Sequence, residues 1–374
     1  MKTIHYEEET AKFPGSEPFL SEDMLFTDIE TLGFSAEKDP IYLIGTASLK
    51  EKSLHITLYL AETPAEEADI LSAFLEELGS FYKIITFNGE RFDLPFLKKR
   101  AEALGIAPEA RQRLDADENA TDPLVSIDLL RQIRQNKELL PLSHFNQTSI
   151  EAFLDVERKD EYDGGKLIPV YRRYAKTQDP KDEDLLLLHN FEDVKGMIRI
   201  LPILSYGKLR PENLQIQDTD WDFEDGHLFV TCSFETPVPK PLRIQRPSFY
   251  CIVEEDRLKA ALTLYSGTLK YFLPYPAQYI YLLREEIIVP KMLAATVPAE
   301  QKRPAKRDEC YSAVNGRFLG FDAAFVRKHP ELFAGEKQFR SKFDDDTLYI
   351  KTDPANTNEE FLRTCVGLLL RFSN

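Results

Sequence analysis

The pattern of apolar and polar positions changes character once along the chain, near residue 207. Before that point short apolar runs alternate with helical stripes. Met24, Leu25 and Phe26 read as a strand entering a core, and residues 41–47 as a fully buried strand. In residues 54–60, Leu54, Ile56, Leu58 and Leu60 alternate with His55, Thr57 and Tyr59, which predicts a third strand. The short turns between these runs imply an antiparallel meander. Ile70, Leu71, Phe74, Leu75 and Leu78 share one helical face, opened by Thr63-Pro64 and closed by Gly79. Residues 83–87 form a short strand ending at Asn88-Gly89, and a helix follows over 91–104. A strand over 125–130, a helix over 167–176 and a last helix over 182–201 complete this part. Leu185, Leu188, Val194, Ile198 and Leu201 are the positions expected to pack that last helix. Residues 1–20 read as an exposed lead-in and 106–123 as a surface loop.

Beyond a linker over 207–222, strands dominate: 227–235, 248–254, 260–273 with a hairpin turn at Ser266-Gly267, and 344–351, before a closing helix over 359–370. Strand–helix alternation is α/β grammar, and the second part is β-rich, α+β in character. The expected organisation is an α/β mixed sheet with flanking helices in residues 1–206 and a smaller β-rich domain in 207–374.

Composition narrows the class. Of 374 residues 43% are hydrophobic and 29% charged, as in an ordinary globular protein. Cys232, Cys251, Cys310 and Cys365 are widely spaced, with no C-x-x-C, so neither a structural zinc site nor a disulfide framework is expected and a reducing, cytoplasmic setting fits. The first ten residues lack the apolar core of a secretion signal, and no apolar run reaches the roughly 20 residues of a membrane helix. The net charge of −16 opposes tight non-specific binding to a polyanion. Residues 1–209 hold 39 Asp and Glu against 25 Lys and Arg, and residues 210–374 hold 24 against 22. The acidic half therefore needs bound cations, or help from the other half, to attract phosphate.

Acids recur where strands end. Asp28 and Glu30 lie two apart, on one face of an apolar strand, where they repel unless a cation sits between them; hard Mg²⁺ or Mn²⁺ would suit the oxygens. A plain strand running into a polar turn would read the same. Asp93 falls in the first turn of a helix, where it could equally answer the helix dipole. His189 and Asp193 are four apart and project from one helical face.

In order, these stretches resemble the DEDD exonucleases of the ribonuclease H-like superfamily. Phe26-Thr27-Asp28-Ile29-Glu30 is similar to their F-x-D-x-E, and Asn88 through Phe92-Asp93 to their N-x-x-x-F-D. In the third motif a Tyr precedes Asp by four or a His by five; here His189 precedes Asp193 by four. A closer resemblance is to the YprB-type predicted exonucleases. Their D-I-E-T, I-Y-L-I-G, F-N-G-x-x-F-D, I-D-L-L-R and L-H-N-x-x-D-V occur here at Asp28, Ile41, Phe87, Ile127 and Leu188 onwards. The resemblance spans residues 24–200.

That resemblance implies 3′-5′ exonuclease activity on nucleic acid, with single-stranded ends as the expected partner and no membrane. Asp28, Glu30, Asp93 and Asp193 would hold two Mg²⁺ or Mn²⁺ ions, with Glu30 also counted as catalytic, and His189 would accept the proton of the attacking water. Asn88 and Phe92 would position the terminal nucleotide; a turn asparagine and a core phenylalanine would look alike in sequence. Asp128 falls outside the four acids and reads as a supporting residue. An acid-pair phosphatase would want D-x-D, and a ribonuclease H endonuclease would leave the second and third motifs unexplained. A catalytically silent nucleic-acid-binding module is the remaining alternative. In the second half, Tyr265, Tyr271, Phe272, Tyr275, Tyr279 and Tyr281 could stack on bases, and Lys291, Lys302, Arg303, Lys306 and Arg307 could meet phosphate, though packing and solvated surface explain both groups.

Overall fold

The computed structural model describes all residues except 116–122, 161–163, 211–212, 247, 329, 334, 353–356, 359, 363–365 and 367–374. It forms two compact units, residues 1–208 with 238–240, and residues 209–237 with 241–374. Among the described residues no helix is long and apolar enough to cross a membrane.

The first unit is built on a six-stranded mixed sheet. In chain order it contains β1 (Lys2–Glu9), β2 (Met24–Thr31), β3 (Ile41–Lys50), β4 (Ser53–Leu60), α1 (Glu67–Leu78), β5 (Lys83–Thr86), α2 (Asp93–Ala103), α3 (Gln112–Asp115), β6 (Val125–Asp128), α4 (Leu129–Arg134), α5 (Gln147–Phe153), α6 (Gly164–Thr177) and α7 (Pro180–Arg199). The sheet order is β1-β4-β3-β2-β5-β6. β2, β3 and β4 are the expected antiparallel meander, while β5 and β6 run parallel to β2 on its other side.

Period-two alternation assigns the sheet faces. Leu25, Ile29, Ile44 and Ile84 pack under Ile70, Leu71, Phe74, Leu75 and Leu78 of α1 and Phe96, Leu97 and Ala101 of α2. Asp28 and Glu30 alternate with Ile29 and face the opposite side, where α7 crosses β2, β3 and β4. Asp28 is paired with Gly45 in the neighbouring strand. A Cβ at Gly45 would collide with Asn190 Oδ1 and lie 2.7 Å from Val194 Cγ2, so the missing side chain is what lets α7 sit this close to the sheet.

Several sequence expectations change. Residues 2–9 are a strand rather than a lead-in: β1 pairs along its whole length with β4. It is an edge strand whose side chains are mostly exposed, so only backbone hydrogen bonding reveals it. The 125–130 strand ends at Asp128, and Leu129 and Leu130 already belong to α4. In α7, Leu186 and Leu187 are buried while Leu185 and Leu188 are half-exposed; sheet and neighbouring helices cover it from more than one side. The short α3 lies within the expected loop.

The second unit is a larger antiparallel sheet with a small one. It contains β7 (Ile216–Glu224), β8 (His227–Phe234), β9 (Leu242–Arg246), β10 (Phe249–Glu254), β11 (Arg257–Phe272), β12 (Tyr279–Leu282), β13 (Ile287–Pro290), β14 (Lys302–Pro304), β15 (Tyr311–Asp322), α8 (Ala323–Lys328), β16 (Gln338–Phe339) and β17 (Thr347–Lys351). β12, β13 and β14 form the three-stranded sheet. No turn interrupts Ser266-Gly267. β11 runs through it, pairing β8 and β10 with its first half and β15 with its second. Its buried face switches from Leu258, Ala260, Leu262 and Leu264 to Leu269, and that change of parity mimics a turn in sequence. β9, β15, β16 and the small sheet were not expected, and the end of the expected 207–222 linker is the strand β7, paired with β8. The proposed closing helix falls largely outside the described residues.

Four of the six candidate stacking aromatics of this unit are engaged with their neighbours, while Tyr275 is 65% exposed. Tyr265 meets Phe318 and Tyr349, Tyr271 meets Phe339, and Phe272 meets Tyr311 and Phe343. Arg303 lies over Tyr281 and is paired with Glu309.

Candidate active site

Three elements deliver acids to one place. β2 brings Asp28 and Glu30 to the sheet face under α7. A register shift between Glu30 and Thr31 turns the strand away just beyond them. α2 begins at Asp93, whose Oδ1 accepts the Ile29 backbone N–H at 3.3 Å, so the second motif is tied to the first. α7 adds His189 and Asp193 one turn apart, with His189 Nε2 3.1 Å from Asp193 Oδ2 and 3.4 Å from Glu30 Oε1.

The helix is placed by its own sequence. Asp179 caps it by accepting the Lys181 N–H, Pro180 opens it, and Asp182 and Glu183 occupy the first turn. At its middle, the Asn190 side-chain amide donates to Asp28 Oδ2 at 2.8 Å. Near its end Gly196 allows close approach of α5, where Gln147 Nε2 donates to the Asp193 carbonyl at 2.9 Å.

So many acids in one dry place titrate abnormally. Burial, then the charges of Asp193, Asp93 and Glu30, raises Asp28 well above the usual carboxylate range. Burial pushes Glu30 up to about 8 against the pull of His189. Asp93 is pushed up to about 7, again by burial, with backbone hydrogen bonds opposing it. Burial would lower His189, yet Asp193, Glu30 and Asp160 raise it. Burial and the Glu30 charge hold the Tyr42 phenol protonated; its hydroxyl lies beside Glu30 without meeting strict hydrogen-bond geometry.

A cluster of this kind fits a cation. Glu30, His189 and Asp193 present ligand atoms all within 4.8 Å of one another. Asp28 and Asp93 adjoin them electrostatically, giving an oxygen-rich donor set for a hard divalent ion. Burial first, and the neighbouring carboxylates after it, oppose ionisation of these groups, and bound positive charge would offset both.

The structure brings five of the sequence-predicted residues together: Asp28, Glu30, Asp93, His189 and Asp193. Asn88 lies at the end of β5 with a left-handed backbone, φ 65°, which an asparagine tolerates well. Phe92 is partly buried against the core, with its ring centroid 5.3 Å from Phe96 and 6.3 Å from Phe34. Asp128 supports the 88–90 turn: it accepts the backbone N–H groups of Asn88 at 3.0 Å and Glu90 at 3.4 Å, and caps α4 through the Arg131 N–H at 3.2 Å.

Four neighbours escaped sequence reasoning. Asn190 is the asparagine of L-H-N-x-x-D-V, so the motif contained it, but nothing in the sequence gave it a role. Phe34, 88% exposed, meets Phe92 edge-on and has no signal beyond its nearness to β2. Arg158 and Asp160 come from the segment between α5 and α6, which carries no motif. Arg158 Nη2 lies 2.7 Å from Asp193 Oδ1 and 3.1 Å from Asp160 Oδ2. His189 Nδ1 lies 2.5 Å from the same Asp160 oxygen.

A family model agrees with the architecture of the first unit. Residues 25–205 match the model of the RNase_H superfamily. The chain is 26% identical over 180 residues to the uncharacterized protein YprB of Bacillus subtilis, covering 48% of this chain and 41% of YprB. It is 37% identical over 92 residues to a DNA polymerase of Pyrococcus glycovorans, covering 22% of this chain and 12% of the polymerase. The family B DNA polymerase structure from Pyrobaculum calidifontis aligns with TM-score 0.38 and 13% identity, covering 89% of this chain and 54% of the polymerase. The chain thus spans only about half or less of these relatives. Its first unit contains a ribonuclease H-like domain, a mixed sheet with flanking helices, followed by an all-antiparallel unit.

Proposed function

We propose, with a ribonuclease H-like domain as the premise, that this protein is a metal-dependent 3′-5′ exonuclease that hydrolyses phosphodiester bonds at nucleic acid ends. The activity is assigned to residues 1–206, in a cytoplasmic setting. The observation that carries the reading is the meeting of Asp28, Glu30 and Asp93 with His189 and Asp193 at the end of β2. A polymerase among the relatives and the DEDD-like spacing support a nucleic-acid substrate.

In this reading Asp28, Glu30, Asp93 and Asp193 hold two divalent ions, Mg²⁺ or Mn²⁺. Bound there, the ions supply the charge that acidifies an attacking water and stabilises the leaving 3′ oxygen. His189 Nε2 faces Glu30 and Asp193, so it is the group placed to take the water's proton. Asn190 holds one Asp28 oxygen and leaves the other for a cation. Asn88 and Phe92 position the terminal nucleotide, and the exposed ring of Phe34 extends the Phe92 surface on which a base could stack.

The test is digestion of end-labelled single-stranded DNA and RNA with Mg²⁺ or Mn²⁺, wild type beside Asp28→Asn. The expected result is divalent-dependent release of mononucleotides from the 3′ end, lost in the variant. Equal digestion of a circular strand would exclude an exonuclease. Binding of the strand with no hydrolysis would leave a catalytically silent nucleic-acid-binding module.

A further inference from the structure

We infer that Asp160 is a positioning residue for His189, fixing which imidazole nitrogen carries the proton and aiming the other at the acid cluster. The inference rests on the proposed role of His189. It is carried by a chain of contacts that ends on residues outside every sequence motif.

His189 Nδ1 meets Asp160 Oδ2 at 2.5 Å, while Nε2 faces Glu30 and Asp193. The Asp160 side chain is wholly buried and His189 is 5% exposed, so bulk water does not compete for Nδ1. A buried carboxylate needs a cation, and Arg158 supplies one at 3.1 Å on the same oxygen. An ionised carboxylate can only accept, so the proton of a neutral His189 must sit on Nδ1 and the lone pair on Nε2. Proton acceptance at the acid cluster needs that arrangement; with the proton on Nε2 the ring would be a donor there.

Arg158 also reaches Asp193 Oδ1 at 2.7 Å. The segment between α5 and α6 therefore sets two side chains of α7, the carboxylate through Arg158 and the imidazole through Asp160. Were Asp160 only the counter-ion of Arg158, its contact with Nδ1 would have no consequence for the ring.

The experiment is ¹⁵N-histidine NMR on the full chain with Mg²⁺, at a pH high enough to leave the ring neutral, with the His189 signals assigned by His189→Gln. The wild type should show protonated Nδ1 and unprotonated Nε2. Asp160→Ala should lose that preference, and Asp160→Asn, which keeps the volume should the alanine variant fail to fold, should lose or invert it. In turnover, kcat should fall by about 10²-fold with KM unchanged, and Mn²⁺ affinity measured by calorimetry should stay within about twofold. A wild-type proton on Nε2, an unchanged tautomer in both variants, or a fall in Mn²⁺ affinity equal to the fall in kcat would each overturn the inference. A wild type that digests no nucleic acid would defeat the exonuclease reading alone, since the tautomer is read without turnover.

Discussion

Asn190 donates its side-chain amide to Asp28 across 162 positions of sequence, at 2.8 Å. This bond locks the middle of α7 to the strand that carries the first two acids, and its geometry depends on a third residue, Gly45, directly beneath it.

Gly45→Ala should therefore act on both stability and activity. The added methyl meets Asn190 and Val194 in a packed helix–sheet contact, and overpacking of this kind costs about 1–3 kcal/mol. Thermal unfolding of the variant should show that loss, and nuclease activity should fall more steeply than stability because Asp28 is displaced.

Replacing Asp28 by Asn should have opposite effects on the two quantities. The metal-free protein should gain about 0.5–2 kcal/mol, since Asn removes a carboxyl group whose ionisation is opposed by burial and then by repulsion from its neighbours. Hydrolysis should fall to background. A metal-free variant clearly less stable than wild type would show that the Asn190 bond outweighs the repulsion.

The stability of the metal-free protein should depend on pH in a particular direction. Glu30 and Asp93, with values near 8 and 7, bind protons more tightly when folded than the ordinary carboxylates of the unfolded chain. The folded state then holds more protons than the unfolded one between about pH 4 and pH 8, so their contribution falls across that window as pH rises. Thermal midpoints measured with and without Mn²⁺ should differ more at pH 8 than at pH 6, because binding requires the carboxylates to be ionised.

A fourth test lies outside the site. Arg100 clamps Glu67 with two charge-assisted bonds, Nε to Oε1 at 2.7 Å and Nη2 to Oε2 at 2.5 Å, and Glu67 also accepts the Ile41 N–H at 2.8 Å. These contacts join α1, α2 and β3. Arg100→Met leaves a buried charge unpaired and should cost about 3–5 kcal/mol in denaturant unfolding, while Glu67→Gln in the same background should recover part of it.

The elements with strong period-two or helical patterning were legible without coordinates: β3, β4 and the α1 stripe bury the residues expected of them, and β2 buries Leu25 and Phe26 while Met24 is half-buried. β1 and β11 were misread for opposite reasons. β1 hides because its partner supplies backbone hydrogen bonds and little apolar contact. β11 hides because its buried parity changes partway along one continuous strand.

From sequence came the candidate acids and their order, through the resemblance of D-x-E, F-D and H-x-x-x-D to the exonuclease motifs; strand and helix periodicity added only that Asp28 and Glu30, and His189 and Asp193, share a face. Tertiary structure alone decided what surrounds them. Asp160 and Arg158 lie in a segment without periodicity, and their meeting with His189 and Asp193 is made by packing between elements that sequence spacing does not encode. The same packing removes water from the cluster, and that desolvation raises Asp28, Glu30 and Asp93 together.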